Sequence, residues 1–310
     1  MFLRQASPSD PVSQLALEGL EAHAPILQDA QFYTRDGNAD SVKNAKTDSA
    51  KTKITRSVNE DNSATPPTRT YSPVTKKIIS FDAKVDVVYE DRNEDVETEL
   101  AQETLQQAMD SSWALQEMLF EGDDAADAED FDGMRNLVDS NWILTDGLLM
   151  PAGNSDDLVR AQQLAVEKFM QHAARVRGGA THVYMNEYLK IRWLTIGKNL
   201  GYYSQSKDEL GNVIDRLGTV IVRGAGYQED GDTLLPFTES VGGDSNCSSM
   251  FFARWGERRD LTLLTSVGVR GRYSGQVGNF IINNVNLDAV LHLQNPTALV
   301  QSRGWRIDSL

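Results

Sequence analysis

The sequence predicts an α+β fold, and three features predict it. A strand of strict period two begins at Ile78, a long one-faced helix follows it directly, and in the second half two helices give way to a run of short strands. The 310 residues leave room for one large or two ordinary domains with a real core.

Taken in order, residues 35 to 70 hold only Val42, Ile54 and Val58 as large apolar side chains, too few to offset the ordering entropy of the stretch by itself. If the segment is ordered, a partner outside it holds it, most simply another chain. From Ile78, Ile79, Phe81, Ala83, Val85, Val87 and Tyr89 point one way and Ser80, Asp82, Lys84 and Asp86 the other, the pattern of a half-buried strand. At roughly 12 residues it spans about 40 Å. The preceding TRTYSPVTKK, with Pro73, is placed to pair back as a hairpin or a looser finger.

A helix capped by Asp91 or Asn93 then runs to about Glu121, its first turns loaded with Glu94, Asp95, Glu97 and Glu99 at the positive end of the dipole. Ala101, Leu105, Ala108, Ser112, Leu115 and Leu119 form its apolar stripe, flanked by Met109, Trp113 and Phe120. About 29 residues make a rod of about 43 Å. Ser155 caps a helix from Asp156 to about Val176, with Leu158, Ala165, Phe169, Ala173 and Val176 inward and Gly178 and Gly179 as its stop. A strand at His182 to Met185 leads into a helix from about Asn186 to Leu200. Strands are expected at 218–223, 249–254, 261–265, 276–283 and 289–293, joined by glycine-rich turns.

The net charge of −15 is local. Residues 90 to 132 hold 16 acidic residues against the single base Arg92, and the remaining 29 bases and 29 acids cancel. A basic nucleic-acid-binding domain is excluded by this balance, and no apolar run reaches the length of a membrane span. The opening MFLRQASPSDPV lacks the apolar core of a secretory signal. The lone Cys247 has no disulfide partner within the chain.

No catalytic, cofactor or metal residue is assigned. His23, His172, His182 and His292 lie too far apart for a close-spaced metal motif. Gly224-Ala225-Gly226 follows a strand as a dinucleotide loop would, but Glu229 stands where the third glycine belongs and no helix opens. Phosphate-loop and nucleophile-elbow patterns do not occur. Seven carboxylates, Glu121, Asp123, Asp124, Asp127, Glu129, Asp130 and Asp132, fall within twelve residues. A calcium loop could take Asp130, Asp132, Gly133 and Asp139 as its positions 3, 5, 6 and 12, but its first position falls on Ala128. The competing reading is a solvated loop or an intersubunit charge partner. Residues 43 to 56 supply a candidate partner: Lys43, Lys46, Lys51, Lys53 and Arg56 against Asp48 give +4, so this segment of one copy could lie near the acidic rod or loop of another.

The order of these elements resembles a major capsid protein of tailed bacteriophages, the Hong Kong 97 type. Residues 1–67 resemble its amino-terminal arm across neighbouring subunits, and TRTYSPVTKKIISFDAKVDVVYEDR, within 68–92, its extended E-loop. EDVETELAQETLQQAMDSSWALQEMLFEGD resembles the spine helix, which with the first part of the peripheral domain takes 93–150, and EDFDGM a short acidic stretch that follows it. GGATHVYMNEYLKIRW and VIDRLGTVIVRG are similar to axial-domain segments, 151–250, and SSMFFARWGERRDLTLLTSVGVRGRYSGQVGNFIINNVNLDAVLHL to closing strands shared between the domains, 251–310.

The resemblance implies a non-enzymatic protein without cofactor that self-assembles through pentamers and hexamers into an icosahedral shell around packaged double-stranded DNA. It would occupy the virion, and the host cytoplasm during assembly. Implied partners are a separate scaffolding protein, a portal, a decoration protein and DNA bound without sequence preference; no membrane is implied. About 77 residues precede the strand, so scaffolding would be a separate protein or already removed. Some relatives join a lysine to an asparagine between subunits; Lys76 or Lys77 and Asn283, Asn284 or Asn286 are residues of those types, and no pair is assigned. An acidic loop on the inner surface would repel phosphate and ease DNA entry. The alternatives are an encapsulin-like compartment shell and, from another class, a calcium-binding surface protein or an enzyme of mixed α/β type.

Overall fold

The computed structural model describes residues 10–24, 26–34, 41–48, 69–88, 96–151, 153, 155–207, 213–228, 230–257 and 259–307. The chain opens with α1 (Pro11–His23), a short α2 (Ile26–Asp29) and β1 (Phe32–Thr34). Strands β2 (Ser41–Asp48), β3 (Arg69–Thr75) and β4 (Lys77–Asp86) precede the long α3 (Val96–Glu121) and the single turn α4 (Met134–Leu137). Then come β5 (Ile143–Leu144), β6 (Leu149–Met150), α5 (Asp156–Arg175), β7 (His182–Met185) and α6 (Glu187–Leu200). Nine strands finish the described chain: β8 (Tyr203–Lys207), β9 (Val213–Leu217), β10 (Val220–Gly224), β11 (Glu239–Val241), β12 (Asp244–Ala253), β13 (Leu261–Thr265), β14 (Val269–Val277), β15 (Phe280–Leu293) and β16 (Leu299–Ile307).

Two layered halves result. In the first, β15 is the central strand, with β13 and β14 along one edge and β4 along the other, all antiparallel, while β1 adds parallel to β13. The expected alternation of β4 is present: Ala83 and Val85 are buried with Ile281 and Leu100, and Ile78, Ser80, Asp82 and Lys84 are exposed. Helix α3 lies on this sheet, 26 residues and about 39 Å long. In the second half, nine strands in the path β5-β16-β12-β7-β10-β9-β8, with β6 and β11 at its margins, are covered by α5 and α6. Its core is aromatic: Phe169 stands 4.8 Å from Trp193 and 5.1 Å from Phe252, and Trp305 lies 5.3 Å from Trp193.

Several expectations change. Residues 10–34, read as part of an arm reaching to neighbours, pack inside their own chain. Asp10 caps α1 by accepting the Ser13 amide at 2.9 Å, Pro11 starts the helix, and Ala16, Leu17 and Leu20 are buried on one face. That face lies against α3 so closely that a Cβ on Gly19 would sit 2.5 Å from Ala108 Cβ. The segment 69–75 pairs with β2, whereas β4 pairs with β15 nearly two hundred positions away, so the finger opens earlier than residue 68. The expected strand 276–283 straddles a turn, because Val277 faces Phe280 and Gly278 takes φ +63°, the left-handed conformation that a two-residue hairpin turn needs. The expected 289–293 is the end of β15. The caps at Asp91 and Asn93 and the side chains of residues 43–56 lie outside the described residues.

Candidate assembly surfaces and buried polar clusters

The finger is rooted by one residue. Lys76 is the single break between β3 and β4, its side chain is 1% exposed, and Nζ donates to Ser266 Oγ and lies 3.2 Å from Asp288 Oδ2. Asp288 is itself held by the Ser266 amide at 3.0 Å and Thr265 Oγ1 at 3.3 Å. An ammonium buried in this way is no nucleophile for an asparagine of a neighbour. Of the asparagines named with it, Asn283 is buried and donates to Thr104 Oγ1 at 3.0 Å, while Asn284 donates to Asp82 at 2.7 Å and Asn286 to Asn284 at 2.5 Å.

The next residue turns to the acidic loop. Lys77 Nζ donates to Asp124 Oδ1 at 2.6 Å and to the Ala128 carbonyl at 2.7 Å. Within the loop Asp123 accepts from the amides of Ala125 at 3.0 Å and Ala126 at 3.3 Å, Asp127 from Glu129 at 2.9 Å, and Asp132 from Asp124 at 3.2 Å. Gly133 closes it, its amide N–H donating to the Gly122 carbonyl at 2.9 Å. The carboxylates of the imagined calcium loop serve separate turns, and Asp139 accepts from the Asn141 amide at 2.8 Å to start the next one. Among the described residues no group of three or more His, Cys, Asp or Glu side chains converges on a metal position. Asp130 has its carboxyl pushed above the usual range, by burial first and then by the charge of Asp127.

Three polar clusters, each with at least one buried member, join elements, and sequence reasoning anticipated none of them. Glu239 receives Arg135 Nη1 at 3.0 Å, Arg303 Nε at 3.1 Å and Ser249 Oγ at 2.8 Å, and Arg135 Nη2 also donates to Glu121 at 2.8 Å. This network clips the end of α3 to the second sheet. Asp29 accepts two bonds from Arg223, both 2.9 Å, with His182 Nε2 3.6 Å away. Burial works to raise the Asp29 carboxyl, but His182 and Arg223 together outweigh it and hold it below the ordinary range.

In the third cluster Asp146 Oδ1 lies 3.0 Å from His172 Nε2, and His172 Nδ1 lies 2.9 Å from Ser302 Oγ. Acid, histidine and serine in this order serve acyl transfer elsewhere. Here Ser302 is fully buried and its Oγ also takes the Trp305 indole N–H at 2.6 Å, so no substrate carbonyl can reach it. The cluster closes the aromatic core instead.

The glycines weighed as a dinucleotide loop also have structural work. A Cβ on Gly224 would meet the Glu187 carboxylate at 1.6 Å, and Gly226, at φ +91°, lets Gln116 of α3 come close enough to donate to the Ala225 carbonyl. Cys247 is buried, and burial pushes its thiol up. His23 falls outside the described side chains, and His292 lies partly buried on β15. No helix among the described residues is long and apolar enough to cross a membrane.

No protein-family model and no curated protein matches the sequence. Solved structures do match. The holo-SrpI encapsulin complex from Synechococcus elongatus PCC 7942 is 10% identical, with 93% of this chain and 90% of that chain covered at a TM-score of 0.59. The capsid of the empty GTA particle is 13% identical, covering 91% and 90% at 0.54, and the capsid of cyanophage P-SCSP1u 8% identical, covering 91% and 87% at 0.51. With about nine-tenths of its length covered in these matches, the chain has the α+β fold of Hong Kong 97-type capsid subunits.

Proposed function

We propose that this chain is a major capsid protein whose copies assemble into an icosahedral shell around phage double-stranded DNA. The observation that carries the reading is the extent of the likeness, which covers about nine-tenths of this chain and of the GTA and cyanophage capsid chains. Among the described residues the two-stranded finger, β2 with β3, pairs only with itself, which is ill suited to a lone monomer and well suited to lying on a neighbour.

In this reading α3, the first sheet and the finger form the peripheral part, 151–250 the axial part around capsomer centres, and 251–310 strands shared by both. The protein acts without catalysis, resides in the virion after assembly in the host cytoplasm, and works with a scaffolding protein, a portal, a decoration protein and DNA held without sequence preference. The Asp146-His172-Ser302 cluster supports a non-enzymatic role, since its serine is fully buried and closed off.

A second reading, an encapsulin-like compartment shell, is favoured by one specific observation, the TM-score of 0.59 to the SrpI encapsulin complex. Expression followed by negative-stain microscopy and nuclease treatment separates them. Closed particles that protect DNA when made with portal and scaffold support the capsid reading. Particles that hold only protein cargo support the compartment, and a chain that stays monomeric with scaffold present refutes both.

A further inference from the structure

On the outer face of the first sheet two arginines of β14 stand two positions apart. On β14, Val269 is buried and Gly271 packs on α1, its amide donating to Ser13 Oγ at 2.7 Å, so the odd positions face the helices. The even positions, Arg270 and Arg272, therefore stand on the outer face, and both are exposed. Opposite them in register are Asn286 and Asn284 of β15, and beyond these Ser80 and Asp82 of β4. Asp82, the nearest acid of that row, is already engaged by Lys84 at 3.4 Å and Asn284 at 2.7 Å. Among the described residues neither arginine has a carboxylate partner. Two like charges two residues apart on one strand face, with no counter-charge, repel and destabilise the strand unless an anion covers them.

The acidic loop lies on the other face. It continues from α3, which packs on the helix side of the sheet, and it is held by Lys77, whose side chain shares the inward parity of Ile79 and Phe81. Of its seven carboxylates, Asp124 meets Lys77 and, at the margin, Glu121 meets Arg135. Since the sheet separates the loop from Arg270 and Arg272, the two patches cannot neutralise each other within one chain. Identical copies that overlap, the outer face of one under the helix face of the next, bring them together through a head-to-tail contact of the kind that closes rings and shells.

We propose that the outer-face strip Arg270 and Arg272 docks the acidic loop, residues 122–132, of a second copy of this chain. The inference rests on the shell reading and gives it a specific contact. The favoured occupant is the loop rather than nucleic acid, because the strip is two arginines wide beside neutral asparagines and an aspartate, not an extended basic surface.

The test compares the full chain with Arg270→Glu/Arg272→Glu, with Asp127→Lys/Glu129→Lys, and with all four changes in one chain, by sedimentation and negative-stain microscopy across a salt titration. Circular dichroism checks that each variant is folded. The contact predicts that each reversal raises the protein concentration at which assembly begins about tenfold or more, that the fourfold variant regains most of the loss, and that added salt weakens wild-type assembly. Wild-type particles together with Arg270→Glu/Arg272→Glu particles that form at the same concentration and salt overturn the docking contact alone. Normal assembly of the loop variant with increased retention of nucleic acid overturns it in favour of a DNA-facing loop. A wild-type chain that never assembles overturns both the contact and the shell reading.

Discussion

Replacing Gly19 by alanine sets two effects of known sign against each other. Gly19 lies in the interior of α1, where alanine is favoured over glycine by about 1 kcal/mol from helix propensity. Against this, the new Cβ would stand 2.5 Å from Ala108 Cβ, 2.8 Å from the Leu105 carbonyl oxygen and 3.3 Å from the Met109 amide nitrogen. Carbon atoms prefer about 3.5–4.0 Å, so α1 must retreat from α3 by about 1 Å. Ala16, Leu17 and Leu20 on the same helix face are all fully or almost fully buried and would lose contact together. Overpacking of this kind costs about 1–3 kcal/mol, toward the upper end here because two of the opposing atoms are backbone and cannot rotate away. The clash outweighs the propensity gain, and the expected net loss is about 1–2 kcal/mol.

Urea unfolding of the unassembled subunit, followed by tryptophan fluorescence, reads this as a lower midpoint at unchanged slope. Ala108→Gly in the same chain removes only the 2.5 Å contact and leaves the Leu105 carbonyl, so rescue in a double-mutant cycle is expected to be partial. A Gly19→Ala chain as stable as the wild type, or more so, refutes the close α1–α3 approach.

Lys76→Met keeps the stem but removes the buried ammonium. Because Asp288 retains its bonds from Ser266 and Thr265, the loss is expected at about 1–2 kcal/mol, below that of a fully orphaned buried charge, and hydrogen exchange is expected to quicken first around residues 74–79 and 286–290; uniform quickening throughout the chain contradicts a local root. Burial lowers the pKa of His172 below its ordinary value despite the Asp146 charge that works to raise it. The folded chain thus resists a proton that the unfolded chain accepts near pH 6.5. Stability from this group is complete above that pH and falls below it, by at most about 1.4 kcal/mol per pH unit. His172→Gln is expected to flatten that fall between neutral pH and about pH 5, and a slope unchanged in the variant argues against the buried neutral imidazole.

Where the sequence was legible, local period and local chemistry sufficed. The alternation of β4, the His182–Met185 strand and the helix opening at Asn186, whose side chain accepts the Tyr188 amide at 2.9 Å, all stand where the pattern put them. The expected stripe of α3 drifts at its first turns: Leu100 and Thr104 are buried in place of Ala101 and Leu105. Hydrophobicity could not reveal this, since Thr104 is buried as a polar residue with both needs met, donating to the Leu100 carbonyl at 2.7 Å and accepting from Asn283. Gln116 is likewise a polar residue on the buried face, its side-chain amide donating to the Ala225 carbonyl. From sequence α1 reads as part of an arm, because nothing in residues 10–34 announces that its apolar face meets α3 rather than a neighbouring subunit.

The sequence by itself determined which stretches alternate, which coil and where the charge is concentrated, because these depend on residues within a few positions of one another. Only the tertiary structure decided partners: β15 for β4, β2 for β3, Asp288 for Lys76, Glu239 for Arg135, and the separation of Arg270 and Arg272 from the acidic loop by a sheet. Such choices are set by burial and satisfaction of groups far apart in the chain, for which a local pattern carries no signal.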